Sequence, residues 1–234
     1  MENQTNLLEQ RLFKLAELKR LGRFMARLGG QPPSMEKLVR VMQEYDAARC
    51  RIRAAQGFLA PRAYSEALAR LHRDGSADVP ANSSAMGPRG VPVGLVGGPL
   101  LTDQFQIFDL IEQAGGYVAL DGTETGERTL PAPFDRRRLQ DDPFMELAEA
   151  YFGSIPDAFR RPNSLLYRWL KKEIAERGIR GILLRRYLWC DTWHAEVQRM
   201  REWAPVPVFD LDVGDDDSWD RATSRIQSFV AMLK

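Results

Sequence analysis

The chain of 234 residues carries two cysteines, Cys50 and Cys190, and two histidines, His72 and His194. Metal sites of common spacing draw three or four ligands from such residues, so none can be written from this sequence alone. In a reducing compartment, two isolated cysteines stand as free thiols rather than as a disulfide framework. Long apolar runs are missing as well. The longest uncharged stretch, Gly90 to Thr102, holds four glycines and two prolines in 13 residues, far short of the roughly 20 apolar residues of a membrane helix. The opening Met1-Glu2-Asn3-Gln4 has neither a basic nor an apolar leader region, and the expected setting is the cytoplasm. No sign of charge dominates either: 33 Lys and Arg face 32 Asp and Glu, which gives no overall pull toward nucleic acid.

What is present is an ordinary globular composition, 44% hydrophobic and 28% charged, which excludes disorder and collagen. The charge is unevenly spread. Residues 1–75 hold 14 basic and 8 acidic side chains, a bias that on amphipathic helices reads first as a solvated face and second as a partner surface.

Apolar residues at Leu8, Leu12, Leu15, Leu18, Leu21 and Phe24 recur at helical spacing between Asn6 and Leu28, and Gly29-Gly30 ends the run. Ser34 is placed to cap a second helix through Leu38, Val41, Met42 and Tyr45 to Ile52, and Pro61 opens a third around Tyr64, Leu68 and Leu71. Residues 1–75 therefore read as an all-helical segment. Residues 76–90, rich in Gly, Pro, Ser, Ala and Asn, read as a linker.

From residue 91 to 234 short β-branched runs alternate with helical patterns. Strands are expected at Val93–Val96, Tyr117–Leu120, Gly181–Leu184 and Val206–Phe209, with helices over Asp103–Ala114, from Asp142-Pro143 to Gly153, from Asn163 to Gly178, after Thr192 or Asp191, and after Asp217. Asp121–Asp141 is expected as one long loop. The fold class is α/β, a four-stranded parallel sheet flanked by helices, preceded by the all-helical N-terminal segment.

Ligands of open parallel sheets sit beyond the carboxyl ends of the strands. Gly97-Gly98-Pro99, Asp121–Arg128, Cys190-Asp191 and Asp210–Asp217 fall there. Gly97-Gly98 offers amides to an anion or a cluster sulfur, or else forms a tight strand-to-helix turn. Asp210, Asp212, Asp215, Asp216 and Asp217 read as a solvated acidic loop in preference to a hard-cation site, since calcium-loop spacing is absent. Cys190, at a helix start, is either a buried inert thiol or a thiolate, and His194 one turn on would complete a thiol-dependent acyl-transfer pair. Cys50, between Arg49 and Arg51, reads as structural.

Several segments taken together resemble the cluster-binding subunits of the 2-hydroxyacyl-CoA dehydratases, the group that includes 2-hydroxyglutaryl-CoA dehydratase and the benzoyl-CoA reductase subunits. They are Val93 to Arg128 with its closing Thr125-Gly126-Glu127-Arg128, the strand Gly181 to Asp191 with its Cys-Asp end, Gln31 to Arg49, and Ser224-Arg225-Ile226-Gln227-Ser228-Phe229. The likeness is to the second half of a typical family subunit. It implies a [4Fe-4S] cluster held by three cysteines, of which Cys190 alone matches as a metal ligand; Glu124 stands where the family has its turn cysteine. Gly97, Gly98, Asp121, Glu124 and Arg128 are the implied cofactor-binding residues, and no catalytic residue is assigned. A cluster then requires ligands from a partner chain.

The resemblance thus implies a subunit of an iron-sulfur-dependent dehydratase or aromatic acyl-CoA reductase complex with an incomplete ligand set. Its expected partners are a second copy or a paired dehydratase-type subunit, an ATP-dependent activator and an acyl-CoA, with neither nucleic acid nor membrane. Two alternatives stay open: a cluster-free scaffold or regulatory subunit of the same fold, and an acyl-transfer enzyme using Cys190 and His194.

Overall fold

The computed structural model describes residues 2–31, 34–79, 89–214 and 219–234, with side chains from Leu12 onward. The chain groups into two compact units, one formed by residues 1–50 and 131–155, the other by 51–130 and 156–234.

The first unit is helical. It contains α1 (Glu2–Arg27), most of α2 (Met35–Ala54), α5 (Arg136–Asp141) and α6 (Pro143–Ala148), with one wide π-type turn over Glu149–Gly153. Ser34 caps α2 as expected, its Oγ accepting from the Lys37 amide at 3.2 Å. The expected continuous loop over 121–141 is interrupted by α5 and by a 3-10 turn at Glu127–Thr129. The run of three arginines hides α5 from apolar periodicity, but the Asp135 carboxylate accepts from the Arg137 and Arg138 amides and caps it. Met42, Phe134, Leu139 and Ala150 make a small core. Of the expected leucine stripe on α1, Leu12, Leu21 and Phe24 are exposed, and Leu8 lies outside the described side chains.

The second unit carries α3 (Pro61–Asp74), β1 (Val91–Gly97), α4 (Gln106–Gln113), β2 (Gly116–Gly122), α7 (Ser164–Glu176), β3 (Gly181–Tyr187), α8 (Asp191–Trp203), β4 (Val208–Val213) and α9 (Trp219–Met232). The four strands are parallel in the order β2-β1-β3-β4. Their alternate side chains feed two apolar layers. Val93, Leu95 and Leu183 pack with Phe108, Ile111, Ile226 and Phe229 on the α4 and α9 side. Val96, Ile182 and Leu184 pack with Leu166, Leu170, Trp193 and Met200 on the α7 and α8 side. Near-continuous apolar strands covered on both faces are what a parallel sheet requires.

Two expected boundaries move. β4 begins later and continues through Asp210 and Asp212, which the sequence had suggested for a loop. Arg186 on β3 clamps Asp210 with two bonds of 2.9 and 3.0 Å, and Arg225 on α9 reaches Asp212 at 3.0 Å, so neither carboxylate has to leave the strand to be solvated. Asp215, Asp216 and Asp217, with the suggested last cap, lie outside the described residues, as do positions 80–88 of the expected linker. The residue that starts α8 is Cys190 itself, with no side-chain cap, rather than Asp191 or Thr192.

At the outer edge of β2 the pairing with β1 jumps from Val118 to Leu120, leaving Ala119 as a bulge. Arg177 donates to the Ala119 carbonyl at 2.7 Å, Glu127 accepts from the Asp121 amide at 3.3 Å, and the two side chains grip each other through bonds of 2.9 and 2.8 Å. This ion pair occupies the backbone groups that one residue of a further parallel strand would use. On β4, Arg225 likewise donates to the Asp210 carbonyl at 2.9 Å.

Gly97 ends β1 at φ +139°, and a Cβ there would drive into the Arg185 carbonyl of β3. Gly178, after α7, has φ +59° but open space around it. Replacing Gly97 with Ala should therefore cost about 3 kcal/mol or more of unfolding free energy, against about 1 kcal/mol for Gly178→Ala. Urea unfolding of the two variants measures the difference, and equal losses would mean that the β1–β3 approach is slacker than described.

Candidate functional site

The chain leaves β1 for β2 on one side and then crosses to β3 on the other, so the topological switch lies between the carboxyl ends of β1 and β3. Side chains already fill that crevice. Arg185 of β3 donates to the Pro99 carbonyl at 2.6 Å and to Gln104 Oε1 at 2.7 Å, with its guanidinium 3.9 Å from the centre of the Tyr187 ring. The Gly98 amide donates to the Arg185 carbonyl at 3.2 Å. Of the pair Gly97-Gly98, then, the first permits the close approach of two strands and the second spends its N–H on β3.

The turn after β2 is tied together by its own side chains. Asp121 Oδ1 accepts from the Thr123 amide at 3.1 Å and from its hydroxyl at 2.6 Å. Gly126 lies against the Asp121 carboxyl group, where any Cβ would collide with it. Thr125 Oγ1 accepts from the Leu100 amide at 3.0 Å, which links this turn to the one after β1. Burial raises the Asp121 pKa above its ordinary 3.8, and the hydrogen bonds from Thr123, the nearby Ser65 hydroxyl and the charge of Arg128 offset this only in part.

Arg128 is fully buried. Its Nε donates to the Gly122 carbonyl at 3.1 Å and Nη1 to the Pro156 carbonyl at 2.9 Å, with Asp157 at 3.2 Å and Glu124 at 3.5 Å as counter-charges. The guanidinium also stands over the Trp193 ring, 5.4 Å from its centre. Trp193 Nε1 in turn donates to Glu124 Oε1 at 3.3 Å. Glu124, 28% exposed, is thus held by an arginine and an indole.

Cys190 lies one helical turn before Trp193 and packs, partly buried, against the same apolar layer. Trp189 beside it is 84% exposed. The structure thus joins Glu124 directly to Arg128 and connects both, through Trp193, to the helix that Cys190 begins. Asp121 supports the turn from beneath. Between Cys190 and His194 the hydrogen bond is the helical one, from the His194 amide to the Cys190 carbonyl at 2.9 Å.

Arg185, Tyr187, Gln104 and Trp193 shape this rim without having been singled out in the sequence. One signal was available: Arg185-Arg186 interrupts the apolar run Gly181–Leu184, and two arginines in a buried strand demand partners.

Two outcomes follow. Arg128→Met strands the Gly122 and Pro156 carbonyls and should lower stability by about 3 kcal/mol, read from the urea midpoint. Because the folded pKa of Asp121 is raised, its contribution to stability is complete below about 3.8 and is lost as pH rises through the folded value. Asp121→Asn should therefore flatten the fall in stability above that pH, and parallel wild-type and variant curves would contradict the assignment.

The segments that form this rim run through almost the whole chain, and so does the family likeness. The model of the 2-hydroxyglutaryl-CoA dehydratase D-component family matches residues 9–233. No curated protein matches the chain. With a parallel four-stranded sheet, a tied turn after β2 and a cysteine at the end of β3 all inside that span, the chain belongs to the 2-hydroxyglutaryl-CoA dehydratase D-component family.

Proposed function

We propose that this chain works in the cytoplasm as one subunit of a 2-hydroxyacyl-CoA dehydratase or aromatic acyl-CoA reductase-type complex, and that it supplies a structured rim with at most one cluster ligand, Cys190. Membership of the D-component family supports the dehydratase-type subunit. No described helix is long and apolar enough to cross a membrane.

The family implies an iron-sulfur cluster, and the donor chemistry of this chain alone does not fit one. Sulfide clusters of this kind are held by several thiolates. Among the described residues no three of His, Cys, Asp and Glu gather as a metal-binding group. Glu124, where the family has its turn cysteine, is a hard carboxylate already engaged by Trp193 Nε1 and Arg128. That engagement is the observation that carries the proposal: the position has become part of the rim's packing. A cluster in the complex would take its remaining ligands from a partner chain, a paired dehydratase-type subunit or a second copy. The acyl-CoA would then bind to the assembly, and an ATP-dependent activator would act on it.

The same engagement favours a second reading, in which the chain is a cluster-free scaffold or regulatory subunit. The acyl-transfer reading gains nothing from the geometry, since the described contacts of Cys190 and His194 include no thiol–imidazole hydrogen bond.

Anaerobic purification with iron and acid-labile sulfide analysis separates these readings. The chain purified alone should be colourless, and Glu124→Cys should not by itself install a cluster. Co-purified with a dehydratase-type partner it should be brown, and Cys190→Ser should then reduce the iron content. Stoichiometric iron and sulfide on the isolated chain would sink the proposal. A colourless complex, or one indifferent to Cys190→Ser, would favour the scaffold.

A further inference from the structure

Away from the rim, α3 and the residues that precede it cover the outer edge of β2, and a cavity of about 410 Å³ remains between them. Gln56, Tyr64, Ser65, Tyr117, Asp121, Glu127 and Arg177 contribute its polar lining, and exposed Gly57 lies at its boundary. Three of these polar groups are deeply buried and unsatisfied. Tyr64 is 6% exposed, Ser65 1% and Asp121 3%, yet Tyr64 Oη, Ser65 Oγ and Asp121 Oδ2 have no well-formed hydrogen bond. The Ser65 hydroxyl lies against the Asp121 carboxyl group without a well-directed bond. Orphaned buried polar atoms are uncommon, and around a cavity of this size they mark a place for a molecule that can pair with them.

The charges narrow its chemistry. In the lining Asp121 and Glu127 face Arg177, while the charge of Arg128 reaches Asp121 and that of Arg53 reaches Tyr64 from outside it. That guanidinium is already spent on Glu127 at 2.9 and 2.8 Å, on Glu173 at 2.7 Å and on the Ala119 carbonyl at 2.7 Å. Glu127 is saturated as well, since its oxygens also accept from the Asp121 amide and from Gln56 Nε2. The Asp121 carboxyl group, held at Oδ1 by Thr123 and only partly offset by Arg128, keeps Oδ2 without a well-formed bond, and the open hydroxyl that lines the same cavity belongs to Tyr64. An anion would meet two carboxylates and a lining cation that is already engaged, and an apolar ligand would leave the orphaned atoms unpaired. Among the described residues no three of His, Cys, Asp and Glu gather to hold a bare metal ion. A protonated amine can donate to Asp121 Oδ2 and to Tyr64 Oη, while the rings of Tyr64 and Tyr117 offer faces that attract a cation.

We propose that the cavity between α3 and β2 is a binding site for a small organic ammonium ion, with the Asp121 carboxylate as its counter-charge and Tyr64 Oη as a second acceptor. This site is independent of the reading of Cys190 and Glu124 as a cluster rim.

The test uses three probes with one alkyl chain and different heads: butylammonium, butan-1-ol and butyrate. Each is titrated into the full chain by calorimetry at about pH 8, where the amine is charged. Butylammonium should bind saturably, butan-1-ol at least about tenfold more weakly, and butyrate not at all. Asp121→Asn should erase the preference for the amine. Tyr64→Phe, which removes a hydroxyl that holds nothing else, should weaken butylammonium severalfold and keeps the proposal testable if the Asp121 variant does not fold. Equal binding of the alcohol, binding of none of the three, or affinity unchanged in both variants would each overturn the site, leaving a cavity filled by water.

Discussion

A guanidinium with no surface in water must have its charge answered by protein, and Arg128 meets that demand by drawing together pieces far apart in sequence, with Nε and Nη1 hydrogen-bonded and Nη2 left to its ion pair with Glu124. It fastens the Gly122 carbonyl at the end of β2, the Pro156 carbonyl ahead of α7, the carboxylates of Asp157 and Glu124, and the indole of Trp193 at the start of α8. An unpaired charge at this depth would cost several kcal/mol, so these partners are held as a set. Together with the ties that Asp121 and Thr125 make, that one side chain joins the turn after β2, and Glu124 on it, to the start of the helix that Cys190 begins.

Seen from Arg128, the motif Thr125-Gly126-Glu127-Arg128 has a structural meaning at each position. Thr125 joins its turn to the one after β1, Gly126 makes room for the Asp121 carboxyl group, Glu127 faces the edge of β2 with Arg177, and Arg128 closes the rim. A segment that carries the family resemblance is here a scaffold for the strand ends. The packing of these strand ends is thus maintained by Thr125, Gly126, Glu127 and Arg128 themselves, whatever stands at position 124.

The order of strands and helices was legible because it rests on local signals. Apolar runs such as Val93–Val96, with glycine after it, and Gly181–Leu184, with glycine at its head, report burial and turning directly. The errors came where a long-range partner decides the outcome. Asp210 and Asp212 look like loop residues until Arg186 and Arg225 arrive from other elements, and α5 is concealed by three arginines whose helix depends on the Asp135 cap. At the site, the cysteine and the carboxylate were visible in the sequence. Trp193 was not, because a tryptophan at helical spacing reads as core, and in this protein it is both core and hydrogen-bond donor.

The ion pair on the bulge of β2 also bears on how this protein can grow into a larger assembly. A neighbour that tried to continue the sheet past Ala119 would have to displace Arg177 and Glu127 from each other and from the backbone, and at Asp210 on the opposite border Arg225 stands in the same position. Lateral extension, the commonest route to uncontrolled fibrous association of β structure, is thereby made unfavourable at both margins. What these margins leave open to any neighbour is side-chain surface, such as exposed Trp189 and Phe159, where contacts are chosen by shape and chemistry rather than by the repeating pattern of the peptide backbone.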